Sequence, residues 1–314
     1  MRSSSSLRAL PLSLKVSEAF ALLRMHLKRR QLDAGHYPYD ALIAEYASIL
    51  ERHGRRAIGG QRVLEIGFGA RPFRLAWLFN RGIDVTGVDL DMPLIKWTPR
   101  NMLRVARKSG WMRASKSSLR YFISDIKEWR FLAELFRKEH GTDFRFPADR
   151  LVVADASADA FWDRAGKFGF IYSEDVFEHI PRESLRNLVK RMAAALRPDG
   201  LAVIRPTVFT GITGGHHLEW YSHKVSERDV TRATEPWEHL RQNRRPANTY
   251  LNGMARRDYV ELFAPHFEIL ENRAMHPDLG REHMTDAIRA ELSAYGDDEL
   301  FSNTTLFVLA PRRA

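Results

Sequence analysis

Short apolar runs recur along this chain, most of them ending on a glycine or an acid, with helix-length stretches between them. Val63-Leu64-Glu65-Ile66 ends in a glycine-rich turn, Asp84-Val85-Thr86-Gly87-Val88 ends in Asp89, and Leu151-Val152-Val153-Ala154 ends in Asp155. Phe168-Gly169-Phe170-Ile171-Tyr172 ends in an acidic cluster, and Leu201-Ala202-Val203-Ile204 follows Pro198-Asp199-Gly200, which reads as a turn. Such short runs read as β-strands. Residues 182–196 instead place Leu185, Leu188, Val189, Met192 and Leu196 at helical spacing. Strands that alternate with helices form βαβ units, so the class is α/β with a doubly wound, mostly parallel sheet. Residues 267–270 and 306–309 are candidates for two further strands.

Three segments exceed what such a sheet needs. Residues 1–60 precede the first strand and read as a helical N-terminal extension. Residues 92–150 are longer than one crossover helix, and residues 206–254 are rich in His, Trp, Tyr and Arg. Ligands of open parallel sheets bind outside the carboxyl ends of the strands. The 206–254 segment leaves from such an end and reads as a lid or substrate wall. The expected organisation is therefore an extension over 1–60 and a Rossmann-like domain over 61–314, with insertions at 92–150 and 206–254.

Composition narrows the chemistry. Among 314 residues there is no cysteine, which excludes disulfides, thiolate-bound zinc, iron–sulfur clusters and a cysteine nucleophile. Hydrophobic residues at 44% and charged residues at 28% are the balance of a soluble globular protein. The formal charge of +10 points to an anionic partner. No apolar run approaches the ~20 residues that span a bilayer, and Arg8, Pro11 and Lys15 break every candidate leader, so a cytoplasmic location is expected. Val16, Ala19, Phe20, Leu23 and Leu27 make a helical stripe ahead of Lys28-Arg29-Arg30. It reads as a helix packed on the main domain or as one lying on a membrane surface, a peripheral contact.

The turn after the first run is Glu65-Ile66-Gly67-Phe68-Gly69-Ala70-Arg71. Gly67 and Gly69 let backbone approach a ligand that a Cβ would exclude. A dinucleotide fingerprint needs glycine at position 72, where Pro72 stands. A carboxylate at Glu65 repels a pyrophosphate and accepts from a cationic amine, which suggests a nucleoside with an amino-acid tail. Asp89, 20 residues after Gly69, is placed to accept from ribose hydroxyls. Asp155 is placed to accept from an exocyclic adenine amine.

The runs VLEIGFGARPF, VTGVDLD, VVADA, FIYSEDVFEHIP and LRPDGLAVI together resemble the class I S-adenosylmethionine-dependent methyltransferases over roughly residues 62–205. The resemblance implies a seven-stranded sheet whose last strand is antiparallel, which 267–310 would supply. It implies S-adenosyl-L-methionine as cofactor. Glu65, Gly67 and Gly69 would hold its methionine part, Asp89 its ribose, and Asp155 and Ala156 its adenine. Glu174, in the acidic cluster after the fourth run, joins this cofactor-binding set. The sequence departs from the family at Arg71, where a third glycine is frequent. A bulky residue there would shift the loop or add a cation near the carboxylate tail.

The fourth run leads into Ser173-Glu174-Asp175-Val176-Phe177-Glu178-His179-Ile180-Pro181. A helical turn beginning near Asp175 would put Asp175, Glu178 and His179 on one face. Those groups can bind Mg2+ or another divalent cation, with lid histidines His216, His217 and His223 completing the set, or they can simply shape a pocket. The run resembles that of RNA 3′-terminal 2′-O-methyltransferases and some quinone-pathway O-methyltransferases, with Asp175 in place of a glutamate. His179, His216 and His217 are the candidate catalytic bases.

Between Asp91 and Asp125 no acid occurs, while Lys96, Arg100, Arg104, Arg107, Lys108, Arg113, Lys116 and Arg120 do, interleaved with Trp97, Trp111, Tyr121 and Phe122. This arm suits nucleic-acid phosphates, a lipid headgroup surface or an anionic glycan, or it is an ordinary exposed helix. Arg241, Arg244 and Arg245 with Trp220, Tyr221 and Trp237 suit a sugar or phosphosugar. The reading that collects these features is a methyltransferase acting at oxygen on a small-molecule or glycan-like acceptor. A metal-dependent RNA 2′-O-methyltransferase and a non-catalytic scaffold of the same fold are the alternatives. A nicotinamide dehydrogenase fits least, because of Pro72.

Overall fold

The computed structural model describes residues 35, 37–227, 232–242, 247 and 249–312. The stripe over 16–27, the basic triplet after it, Arg244 and Arg245 lie outside the described residues. Of the expected extension, the described part is a single helix, α1 (Tyr39–Arg52), and a short turn at Ile58–Gly60.

Seven strands follow: β1 (Arg62–Ile66), β2 (Asp84–Asp89), β3 (Leu151–Val153), β4 (Phe168–Glu174), β5 (Leu196–Arg205), β6 (Phe267–Ala274) and β7 (Thr305–Pro311). They form one sheet in the order β3-β2-β1-β4-β5-β7-β6. β1 pairs in parallel with β2 and β4, β2 pairs in parallel with β3, and β6 pairs antiparallel with β7. The continuous apolar runs are buried along both faces, as an α/β sheet requires: Val63, Leu64, Val85, Phe170 and Ile171 are fully covered. The main helices after α1 are α2 (Phe73–Asn80), α3 (Pro99–Ser109), α4 (Trp111–Arg120), α5 (Ile126–His140), α6 (Asp159–Ala165), α7 (Arg182–Ala195) and α8 (Arg256–Phe263).

β5 corrects one expectation. Pro198-Asp199-Gly200 lies within the strand rather than in a turn before it. Gly200 approaches the backbone of β4 so closely that a Cβ there would stand 2.9 Å from the Gly169 carbonyl oxygen. The glycine is needed for strand proximity, not for chain reversal.

The chain divides into two compact units. The first runs through Tyr172 and includes Lys190–Ala202. Its aromatic centre sets Trp77 of α2 against Phe136 of α5, with ring centroids 4.9 Å apart, and Phe73 against Trp129 at 4.5 Å. This packing joins the first crossover helix to the 92–150 segment. α3 begins at a Thr98 cap, whose hydroxyl accepts from the Asn101 amide, with Pro99 in the first turn. α3 and α4 pack through Val105, Ala106 and Ala114 onto Leu94. The second unit comprises Ser173–Val189 and Val203–Arg312. Ile212, Trp220, Trp237, Leu300 and Phe301 form one of its cores. Phe263 and Phe307, 5.2 Å apart, tie α8 to β7.

Gly87 in β2 shows how tightly α2 sits on the sheet. A Cβ there would collide with Leu75 Cδ1 and stand 2.7 Å from Phe68 Cδ1. Gly87→Ala is expected to destabilise the fold by roughly 1–3 kcal/mol, the usual cost of overpacking. Urea unfolding would show it as a lower midpoint at unchanged slope.

Candidate active site

The turn between β1 and α2 needs glycine for its backbone. Gly67 has φ +80° and Gly69 has φ +69°, the left-handed region that L side chains rarely adopt. The space a Cβ of Gly69 would take is free of protein atoms, so the turn's backbone is open to a ligand. The turn is tied to β2 by Asp89, whose Oδ2 accepts from the Gly69 amide at 2.8 Å and whose Oδ1 accepts from the Asp91 amide at 2.8 Å. Burial pushes the Asp89 carboxyl above its usual range, while these two N–H groups pull it back. Asp155 is exposed two residues beyond β3, and its Oδ1 accepts from the Ser157 amide and hydroxyl at 2.8 and 2.6 Å. The Ala156 carbonyl accepts from the Trp162 indole at 2.7 Å.

Glu65 does not present the open carboxylate expected of it. It is 1% exposed, its Oε1 accepts from Arg74 at 2.8 Å and 2.6 Å, and its Oε2 accepts from the Tyr172 hydroxyl at 3.0 Å. A ligand amine would have to compete with Arg74 for it. Nothing in the local spacing announced this pair, because the chain turns through the glycine loop between the two residues.

Arg71 also takes a different place from either expected one. It reaches away along the 92–150 segment, with Nε 2.7 Å from Asp125 Oδ1, Nη1 3.1 Å from Glu128 and Nη2 2.6 Å from Ser124 Oγ. Arg120 adds a bond to Asp125 at 3.0 Å and one to the Ala70 carbonyl at 3.3 Å. Asp125 and Glu128 are buried, so this is a largely desolvated ionic cluster. It clamps the glycine turn to a π-helical stretch, Tyr121–Asp125, which joins α4 to α5.

The second unit holds the histidine cluster. The helical turn expected from Asp175 does not form. Asp175 itself has φ +55°, and a 3₁₀ turn begins only at Phe177. Asp175 therefore leaves the trio, and its Oδ1 accepts from the Thr207 hydroxyl at 3.2 Å. The side chains brought together are instead Glu178, His179 and His216, whose ligating atoms lie within 4.8 Å of one another. His179 Nδ1 lies 3.0 Å from the Tyr250 carbonyl oxygen and donates to it, which leaves Nε2 as the ring nitrogen for a further partner. His216 has φ +51°, and its Nε2 is 3.8 Å from Glu178 Oε1, beyond hydrogen-bond reach. Neither Glu178 oxygen makes a hydrogen bond of good geometry, although the residue is 3% exposed. Burial first, and the Asp175 charge second, raise the Glu178 carboxyl well above its usual range. Burial, reinforced by His179 and His217, lowers His216 to about 4 and keeps it neutral near pH 7.

His179 and His216 line a cavity of about 550 Å³ with Glu174, Asp175, Arg205 and Tyr221. Glu174, expected among the cofactor residues, lines this cavity and accepts from Arg205 at 3.1 Å. His217 is buried and does not line the cavity. Of the described members of the arginine–aromatic group expected to hold a sugar, Tyr221 lines the cavity and the others do not. Trp220 and Trp237 are core residues, and Arg241 is bound through Nε and Nη2 to both oxygens of Glu291, at 2.7 Å each. Sequence reasoning missed Arg205 and Thr207 as cavity walls and His239 as a buried neighbour. No helix among the described residues is long and apolar enough to cross a membrane.

The profile of a family described as "Methyltransferase domain" matches residues 35–264. The chain belongs to this family, and it is a class I S-adenosylmethionine-dependent methyltransferase. Among solved structures it is similar to the PH0226 protein of Pyrococcus horikoshii, at 14% identity over 88% of this chain and 92% of that one, with a TM-score of 0.41. An S-adenosylmethionine-dependent methyltransferase of Clostridium acetobutylicum shows 12% identity over 94% and 98%, with a TM-score of 0.43. The 1,6-didemethyltoxoflavin-N1-methyltransferase of Burkholderia thailandensis, solved with bound 1,6-didemethyltoxoflavin and S-adenosylhomocysteine, shows 14% identity over 99% and 94%, with a TM-score of 0.40. No curated protein matches the chain in sequence.

Two outcomes follow from the buried charges. Arg71→Met leaves Asp125 and Glu128 short of a partner and should cost roughly 3 kcal/mol, the low end for a broken buried pair because Arg120 remains. Arg71→Lys should restore only part of this, since one ammonium cannot reach three partners, and chemical denaturation measures both. His239, which is 9% exposed, is lowered to about 3, chiefly by burial. A histidine whose folded pKa lies below its unfolded value of ~6.5 binds fewer protons when folded, so stability falls as pH drops from about 6.5 towards 3. This group alone should remove roughly 2 kcal/mol between pH 7.5 and pH 5. His239→Gln keeps a donor for the Phe209 carbonyl and should flatten that acid limb.

Proposed function

We propose that the protein methylates a hydroxyl group of a small-molecule or glycan-like acceptor. Gly67, Gly69, Asp89, Asp155 and Ala156 would hold S-adenosyl-L-methionine. The observation that carries the cofactor assignment is the bond from the Gly69 amide to Asp89, which fixes an uncovered glycine turn against an acid at the end of β2. When bound, the cofactor supplies an electrophilic methyl group on a sulfonium. Asp89 would accept from ribose hydroxyls with lone pairs its two backbone donors leave free. His216 or His179 would take the proton of the acceptor hydroxyl. Imidazoles in a polar-walled cavity with Arg205 and Glu174 suit a hydroxylated, partly anionic acceptor. His217 is not among the residues that line that cavity, so the reading gives the base role to the other two.

A second reading rests on Glu178, His179 and His216: metal-assisted transfer to a hydroxyl, of which an RNA 2′-hydroxyl is one form. The donor set fits a divalent cation. Glu178 brings buried oxygens without good hydrogen bonds, and both imidazoles have a nitrogen available. Two imidazoles with one carboxylate favour Mn2+ or Zn2+ over the oxygen-seeking Mg2+. The ion would supply Lewis acidity that eases deprotonation of the acceptor. Titration calorimetry with S-adenosylhomocysteine, with and without Mn2+, tests both readings. Binding weakened at least tenfold by Asp89→Ala supports the cofactor assignment, and binding unchanged by that variant rejects it. Mn2+ heat that disappears in Glu178→Gln supports the second reading. Its absence in the parent protein leaves the first.

A further inference from the structure

Among the described residues, the exposed large hydrophobic side chains are concentrated in one stretch of the chain. Seven large hydrophobic residues are exposed among the described residues, and six of them, Leu90, Leu103, Trp111, Met112, Leu119 and Phe122, fall between positions 90 and 122. α4 is turned inside out for a surface helix. It buries Ala114 and Ser117, while Trp111 is 62% exposed, Met112 73% and Leu119 62%. At 100° per residue, Trp111, Met112 and Leu119 fall within one outward arc. α3, packed on α4 through its own buried Val105 and Ala106, shows the opposite chemistry. Arg100, Arg104, Arg107 and Lys108 are all exposed on its outward side. Arg113 and Arg120 of α4 are committed to Asp91 and Asp125. Among the described residues no carboxylate pairs with Lys96, Arg100, Arg104, Arg107, Lys108 or Lys116.

We infer that the α3–α4 hairpin is a docking surface for an anionic lipid bilayer. Arg100, Arg104, Arg107 and Lys108 would face the headgroups, and Trp111, Met112 and Leu119 would enter the acyl boundary. A surface with this much bulky apolar side chain beside unpaired cations is the composition of an interfacial helix. Beside the cations lies a cavity of about 590 Å³ bounded by Lys96, Arg104, Arg107 and Lys108 over an apolar floor that includes Val105 and Val153. That cavity suits a headgroup phosphate. Nucleic acid would use the cations and could stack on Trp111, but it has no use for Met112 and Leu119, which hydrocarbon rewards. A two-fold contact with a second copy would bring this strongly cationic face near its own image.

Cosedimentation of the full chain with vesicles tests the inference. The protein should pellet with phosphatidylcholine vesicles rich in phosphatidylserine, and not with phosphatidylcholine alone, and the bound fraction should fall as salt rises. Each cation removed in Arg104→Gln and Arg107→Gln should lower partitioning about fivefold. Trp111→Ser with Leu119→Ser should abolish it, while circular dichroism and the melting temperature stay those of the parent, because both positions are exposed. Failure to bind anionic vesicles at low salt overturns the inference. So does binding that survives both pairs of substitutions, which would place the contact elsewhere in the chain. Tight binding of single-stranded RNA without vesicle binding would assign the face to nucleic acid. A dimer dissolved by Trp111→Ser with Leu119→Ser, again without vesicle binding, would assign it to a second copy.

Discussion

The glycine turn after β1 is held from two sides by carboxylates that lie far along the chain. Asp89 accepts the Gly69 amide from the end of β2, and Asp125 with Glu128 grips Arg71 from the start of α5. A left-handed glycine backbone is entropically expensive to order, and without such ties it would sample many conformations. Fixing it fixes where α2 starts. Trp77 and Phe73 of α2 then meet the aromatic face of α5. The ionic cluster therefore does more for shape than for net stability, since the desolvation of four charged groups offsets most of their attraction.

The histidine cluster follows a different logic. Here a buried carboxyl and two imidazoles stand close together without satisfying one another, and two backbone positions, Asp175 and His216, sit in the left-handed region. Unsatisfied polar atoms and unfavourable backbone angles are costs that a purely structural core would have shed. Two such backbone positions, Asp175 and His216, meet at the wall of one cavity.

How much of this was legible in the sequence depended on range. The strands were visible because continuous apolar runs are a local signal, and the acid ending β2 was visible because strand ends and turns are local too. Arg71 and Arg74 were not, because their partners are set by tertiary folding. Arg71 finds Asp125 54 positions away, and Arg74 reaches back across the turn to Glu65. Asp175 was misplaced for a subtler reason. Helical spacing is a pattern of positions, and one residue with a positive φ dissolves it without changing the spacing. Trp220 and Trp237 looked like ligand-stacking residues and proved to be core, since an aromatic in an insertion has the same letter whichever way it faces.

The π-helical stretch at Tyr121–Asp125 has a consequence for the whole arm. One surplus residue in a helical turn rotates everything after it by about 100° relative to everything before it. Upstream of that offset, Trp111, Met112 and Leu119 look outward. Downstream of it, Glu128 and Leu132 look inward, towards the turn and the aromatic core. A single extra position thus lets one nearly continuous helix present an oily face to the outside at one end and an acidic grip to the interior at the other.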